Sequence, residues 1–438
     1  EATNIQGARL DSTEIGGTAD ITGQMSLGSS ADASNVTGTA QASASLGERS
    51  TNGAYSGGSA DGLWTEDNGY GYDTDVASDA SIQGLASLNI GANAATTEGL
   101  ADADSFAGTI DGAQLGTTRN SDGLMGLNVG GEASVLGQTN FAGSASSSNV
   151  GANGTSSLAN SELVDAGGLD AKSTINVASD ASLTGLTTVD LAADAASTGG
   201  TTASQATATS NAGTLEGAGL GASTIGGVGT IGGQVTSTGA ASAANVTGGA
   251  KGFSDLDDST GLDTSNTTTV KSDGTLQGFS VNSLSADAAT TNGIADSDAL
   301  GGTIQGADLS TVSIGGVGAV TGSANFSADA SSANVEHGES NGLADVNTVD
   351  GLISSTTTIK SDGTLNGLAS IDLGATAEST SGSKAYAEAD AGDLQGAELN
   401  GITNIGGVGS VSGSTNLSSS AAANNVTGTA QGLSTLAT

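Results

Sequence analysis

A short phrase returns along this chain from one end to the other: a small polar residue, then an apolar residue, then any residue, then Gly. Copies begin at Ile5, Val36, Ile82, Ile110, Val150, Leu183, Leu215, Val246, Leu276, Ile304, Val335, Leu365, Leu394 and Val426. Successive starts lie 31, 46, 28, 40, 33, 32, 31, 30, 28, 31, 30, 29 and 32 residues apart. So narrow a spread marks a repeat architecture, in which one structural unit of about thirty residues is stacked on copies of itself.

The copies are of three kinds. Ile5, Ile110, Leu215, Ile304 and Leu394 open a unit that continues x-Gly-Ala, and Ile82, Leu183, Leu276 and Leu365 open a second. The third follows an Asn, at Asn35, Asn149, Asn245, Asn334 and Asn425. Taken in order they divide the chain into super-repeats at 5–109, 110–214, 215–303 and 304–393 and a partial one at 394–438. The two long intervals are read as loop insertions near 50–75 and 117–128.

Within a unit the apolar residues stand singly, as in Leu399, Ile402, Ile405, Val408 and Val411, with no helical stripe. The chain holds 72 Gly, no Pro, and only five Phe, four Tyr, one Trp and two Met, so any core must be thin. A polar, acidic, Gly-rich composition is also that of disordered chains, but the preserved register argues against disorder. These features predict an all-β fold, a single parallel β-solenoid of about fourteen coils of about 30 residues. Gly and Asn would turn the corners, and the missing Pro leaves every inner strand able to donate N–H groups. Fourteen coils at the strand spacing give a rod of about 65 Å. The fourteen phrase starts are expected to form one apolar ladder inside it, and Asn35, Asn149, Asn245, Asn334 and Asn425 a hydrogen-bonded polar ladder at a corner.

A net charge of -38, from 46 acidic and 8 basic residues, argues against nucleic acid and membrane insertion and favours divalent cations. The chain opens at Glu1 without Met, which fits a secreted protein whose export signal has been removed. His337 is the only histidine and there is no Cys, so neither a Ser-His-Asp arrangement nor a soft metal cluster is expected, and the chain is not read as an enzyme. Calcium is the candidate cofactor, with Glu66, Asp67, Asp73 and Asp75 in one Gly-containing loop and Asp255, Asp257 and Asp258 in another as candidate oxygen ligands. Neither run has the spacing of an EF-hand.

In architecture the chain resembles bacterial extracellular β-solenoid proteins, the adhesins and surface fibres. The resemblance rests on the repeat alone and brings no functional residue with it. The expected role is a structural subunit of an extracellular filament, pilus-like fibre or matrix, located outside the cell or on its surface. Its partner would be further copies of itself, joined head to tail through uncapped ends. The competing reading is a calcium-dependent adhesin that binds surface glycans through the aromatic and acidic insertion at Trp64, Tyr70, Tyr72 and Asp75.

Overall fold

A computed structural model describes residues 4–11, 13–49, 55–66, 74–115, 126–151, 155–171, 173–198, 204–382 and 384–436. Among them there is no helix, and nearly every strand pairing is parallel. The chain winds as a parallel β-solenoid.

The ladder register measures the coil directly. Gly229 pairs with Gly274, Gly274 with Gly318, Gly318 with Gly363 and Gly363 with Gly409, so each turn takes 44 to 46 residues. Following one station upward gives Asn4, Ser59, Thr109, Asp165, Thr214, Asp258, Thr303, Thr348 and Asp393. The described chain therefore makes nine coils of about 45 residues in its regular part, not fourteen of about thirty, and at the strand spacing rises about 43 Å. The 90-residue super-repeat is two coils, and the thirty-residue interval is a third of that distance.

Each coil has the same stations, seen in residues 303–346. A first face runs over 303–309, a short strand over 312–314, a long face over 318–334, and a closing face over 338–346. The long faces alternate inward and outward residues, most regularly in Gly363–Ser379, because one side packs inward and the other meets water. Three columns of side chains fill the interior. One, holding Ile304, Phe326 and Val346, lies behind the long and closing faces. A second, holding Leu309, Val312, Ile314 and Val320, lies under the short strand. A third consists of Ala alone, among them Ala94, Ala195 and Ala243, where the two faces come too close for anything larger.

The phrase has a physical cause. The first and long faces touch backbone to backbone at a waist between two of these columns. A Cβ added to Gly306 would stand 2.2 Å from the Ser323 nitrogen, and one added to Gly322 would stand 2.0 Å from the Gly351 oxygen. An apolar residue filling the core two positions before a side-chain-free pinch recurs on both faces of nearly every coil, with Ser259 taking its place on the first face of the sixth. Ile304 and Leu215 supply it on first faces, and Ile82, Leu183, Leu276 and Leu365 on long faces, all buried. The unit starts thus do not form one ladder: they belong to two columns. The five Asn-linked valines belong to neither, since Val36, Val150, Val246, Val335 and Val426 are exposed at the corner.

Two successive coils differ at the turn that enters the long face. One coil turns through Gly-Gly, as at Gly315-Gly316, and the next through Ser-Asp, as at Ser272-Asp273. The Asp carboxylate accepts the N–H of the coil above: Val317 to Asp273 Oδ1 at 2.8 Å, Val228 to Asp180 Oδ1 at 2.8 Å and Val408 to Asp362 Oδ1 at 2.7 Å. A Cβ at Gly316 would meet that oxygen at 2.1 Å. The carboxylate of one coil therefore needs a Gly in the next, which makes the two-coil unit the true repeat.

Candidate functional site

Two files of wholly or partly buried polar side chains stand out along the solenoid. The first is the corner between the long and closing faces. Asn245 registers with Ser197 below and Thr290 above, and Asn334 with Thr290 and Ser379, so Asn alternates with Ser or Thr from coil to coil. The Asn245 amide donates to the Gly249 carbonyl at 2.8 Å and the Ser204 carbonyl at 3.1 Å, and its oxygen accepts the Thr247 N–H at 3.2 Å. Asn425 repeats this with Thr429, Gly382 and Thr427, and Asn35 with Thr39. Asn149 reaches Gly99, and Asn334 reaches Gly293 and the His337 carbonyl. The clamp holds a turn that includes Gly248 at φ 106, a backbone state that favours Gly. The corner column thus carries Asn on every second coil, with a Ser or Thr rung between. Asn245 is 4% exposed with its amide engaged.

The second file runs along the outside of the first face. Because the waist Gly draws the backbone inward there, the outward residues on either side of it lean toward each other. A Cβ added to Gly219 would stand 2.3 Å from Glu216 Oε1, which shows the convergence across the waist residue Gly217. From the second coil to the ninth, one of these two positions carries an acid and its mate is not charged. The acids in order are Asp61, Asp111, Asp170, Glu216, Asp263, Asp308, Asp350 and Glu398. The mates include Trp64, Gln114, Thr260, Gln305 and Ile353. The result is a groove with one carboxylate per coil. Between coils five and seven it widens to about 460 Å³, lined by Glu216, Asp258, Thr260, Asp263, Gln305 and Asp308, with the Thr260 hydroxyl donating to Gln305 Oε1 at 3.3 Å.

These acids are held against their own charge. Unit charges 4.8 Å apart repel by about 0.9 kcal/mol even at the dielectric of water, and by more where solvent is excluded. Asp61 is 1% exposed and Asp350 5%. Burial pushes the carboxyls of Asp61, Asp263 and Asp350 up to about 6. Asp308 adds to the effect on Asp263, while Glu398, Asp393 and Asp308 add to it on Asp350. Asp308 is itself raised, by burial and then by Glu398. Oδ2 of Asp61 and Oδ1 of Asp350 are buried with no hydrogen-bond partner.

The ligands expected from the sequence fall elsewhere. Asp67 and Asp73, with Tyr70 and Tyr72, lie outside the described residues. Glu66 ends the strand Ser59–Glu66, which is the first face of the second coil, so this part of the expected insertion is regular solenoid, and Trp64 stands in the groove beside Asp61. Asp75 is exposed in the short strand Thr74–Val76. Asp255 is half buried and raised by burial and by Asp257, but Asp258 turns onto the first face, where its Oδ1 accepts the Thr303 N–H at 3.3 Å. Among the described residues no three acidic or His side chains converge on a ready-made metal position. Compared with protein-family models, curated proteins and solved structures, the chain matches none.

Proposed function

We propose that this chain is a structural rod of an extracellular filament, fibre or matrix, secreted and extended coil upon coil by further copies of itself. The observation that supports this reading most is the unbroken register. The same four stations stack through nine coils, so the backbone of every inner coil is bonded both above and below along one axis, an arrangement suited to carrying load along that axis. Strands Gly409–Asn425 and Thr429–Leu436 bond only to the coil beneath them, and Val411, Leu433 and Leu436 are exposed on the open side. An open, flat strand edge of this kind is a template for pairing with another chain.

The test is concentration-dependent association, followed by sedimentation and negative-stain imaging. The rod reading expects particles of constant width that lengthen with concentration. The double variant Val411→Lys, Leu433→Lys, with an unchanged β-rich circular dichroism spectrum, is expected to stay at single-chain length. Lengthening by the variant as efficiently as by the parent, or a parent that stays monomeric at every concentration, would contradict it.

A further inference from the structure

We propose that the first-face groove binds divalent metal ions of the hard, oxygen-seeking class, with calcium as the type ion, at a position centred on Asp350 between Asp308 of the coil below and Glu398 of the coil above.

Three independent features lead there. The first is placement: these acids occupy successive coils at the two converging outward positions, so an ion on the groove axis meets carboxylates of neighbouring rungs. The second is the orphaned oxygen. Asp350 is 5% exposed and its Oδ1 has no hydrogen-bond partner, an arrangement that costs free energy unless something positive or donating completes it. The third is the crowding of like charge, since Asp308, Asp393 and Glu398 all stand close enough to Asp350 to repel its carboxylate. One cation would reverse that repulsion for all of them at once.

The chemistry of the walls selects the class. Every side-chain donor in this stretch is oxygen or amide, from Asp308, Asp350, Asp393, Glu398, Gln305 and Gln395, and the chain's single His and absent Cys leave no soft ligand set. The burial of Asp350 admits a bare ion more readily than a bulky organic cation. Because three carboxylates do not already converge, two would bind the ion at a time while amide oxygens and water complete a shell of six to eight. Open sites of this kind fall in the range of about 10⁻⁴ to 10⁻³ M found for extracellular modules. The affinity expected here therefore leans on the extracellular reading above, whereas the position of the site does not.

The experiment uses the full chain. Calcium binding is followed by equilibrium dialysis with labelled calcium and by the melting temperature, with magnesium and with sodium at matched ionic strength as controls. Calcium is expected to bind and to raise the melting temperature beyond the sodium control. Asp350→Asn and Asp308→Asn should each weaken calcium binding by about tenfold or more, while Asp255→Asn, a control on the closing face, should leave it unchanged. Equal stabilisation by sodium, or unchanged calcium binding in folded Asp350→Asn and Asp308→Asn, would overturn the site. Neither outcome bears on whether the chain assembles into rods, which sedimentation in chelator reads separately.

Discussion

The Asn corner and the first-face groove bury polar atoms at comparable depth and to opposite effect. At the corner, Asn245 is 4% exposed and its amide group is matched on both its nitrogen and its oxygen. In the groove, Asp350 is 5% exposed, lacks a partner for Oδ1, and sits among acids of its own sign. A buried polar group that is satisfied holds a fold together, while one that is not is a liability that the rest of the structure must sustain. The Asn149 and Asn334 oxygens at the corner also lack partners, so the two regions differ chiefly in charge: every described corner amide nitrogen finds a carbonyl, while the groove crowds carboxylates of one sign.

The largest effect expected from this contrast is at the corner. Asn245→Ala removes the amide's hydrogen bonds to the Ser204 and Gly249 carbonyls and from the Thr247 N–H, leaving the Ser204 carbonyl only its bond from the Gly249 N–H, so denaturant unfolding should show a loss of about 3 kcal/mol. A loss below about 0.5 kcal/mol, the level of an ordinary surface change, would show that the corner is not load-carrying. Asp350→Asn should act in the other direction. The roughly hundredfold difference in proton affinity between the folded and unfolded carboxyl corresponds to about 3 kcal/mol at neutral pH. Because the amide still has to be desolvated, the expected gain in calcium-free buffer is about 2 kcal/mol. Asp61→Asn should gain a similar amount, about 2 kcal/mol, because burial raises its carboxyl to the same value of about 6 with the Gln6 hydrogen bond already in place. Destabilisation by both substitutions would mean that the acids are partnered in a way their geometry does not show.

Much of the fold was legible in the phrase, and the misreading of coil length has a specific source. The demand for an apolar residue followed two positions later by Gly arises on two faces of each coil, and a similar pattern arises again at the Asn corner. Copies such as Val135-Leu136-Gly137, Ile231-Gly232-Gly233 and Val320-Thr321-Gly322 meet the demand too, but they fall between the thirty-residue steps. A single interval near thirty therefore samples three different stations over two coils. The loop insertion expected near 117–128 similarly hid the short strand Gly126–Val129, which carries the regular ladder. The groove was less visible for a related reason. Its acids alternate irregularly between two positions separated by the waist Gly, so they make no column in any alignment of the repeats. Asp257 and Asp258 attract attention as a pair, yet the structure sends only Asp258 to the groove's edge. The convergence of the two positions comes from the inward pinch of the backbone, and that follows from packing against the long face rather than from local sequence.

The claim that the groove is held at a cost in stability is tested most directly by melting temperature against pH, in calcium-free buffer at fixed ionic strength, for the parent chain and Asp350→Asn. A carboxyl that holds its proton up to about pH 6 when folded, but only to about 3.8 when unfolded, takes up protons on folding. Its contribution is therefore fully present below about pH 4 and is lost as the pH rises through 6. Asp61 and Asp263 add to the same trend. The parent should become less stable as the pH rises from about 4 to 6.5, with a visibly shallower fall in Asp350→Asn. Parent stability that rises across that window, or an identical slope in the variant, would contradict the account.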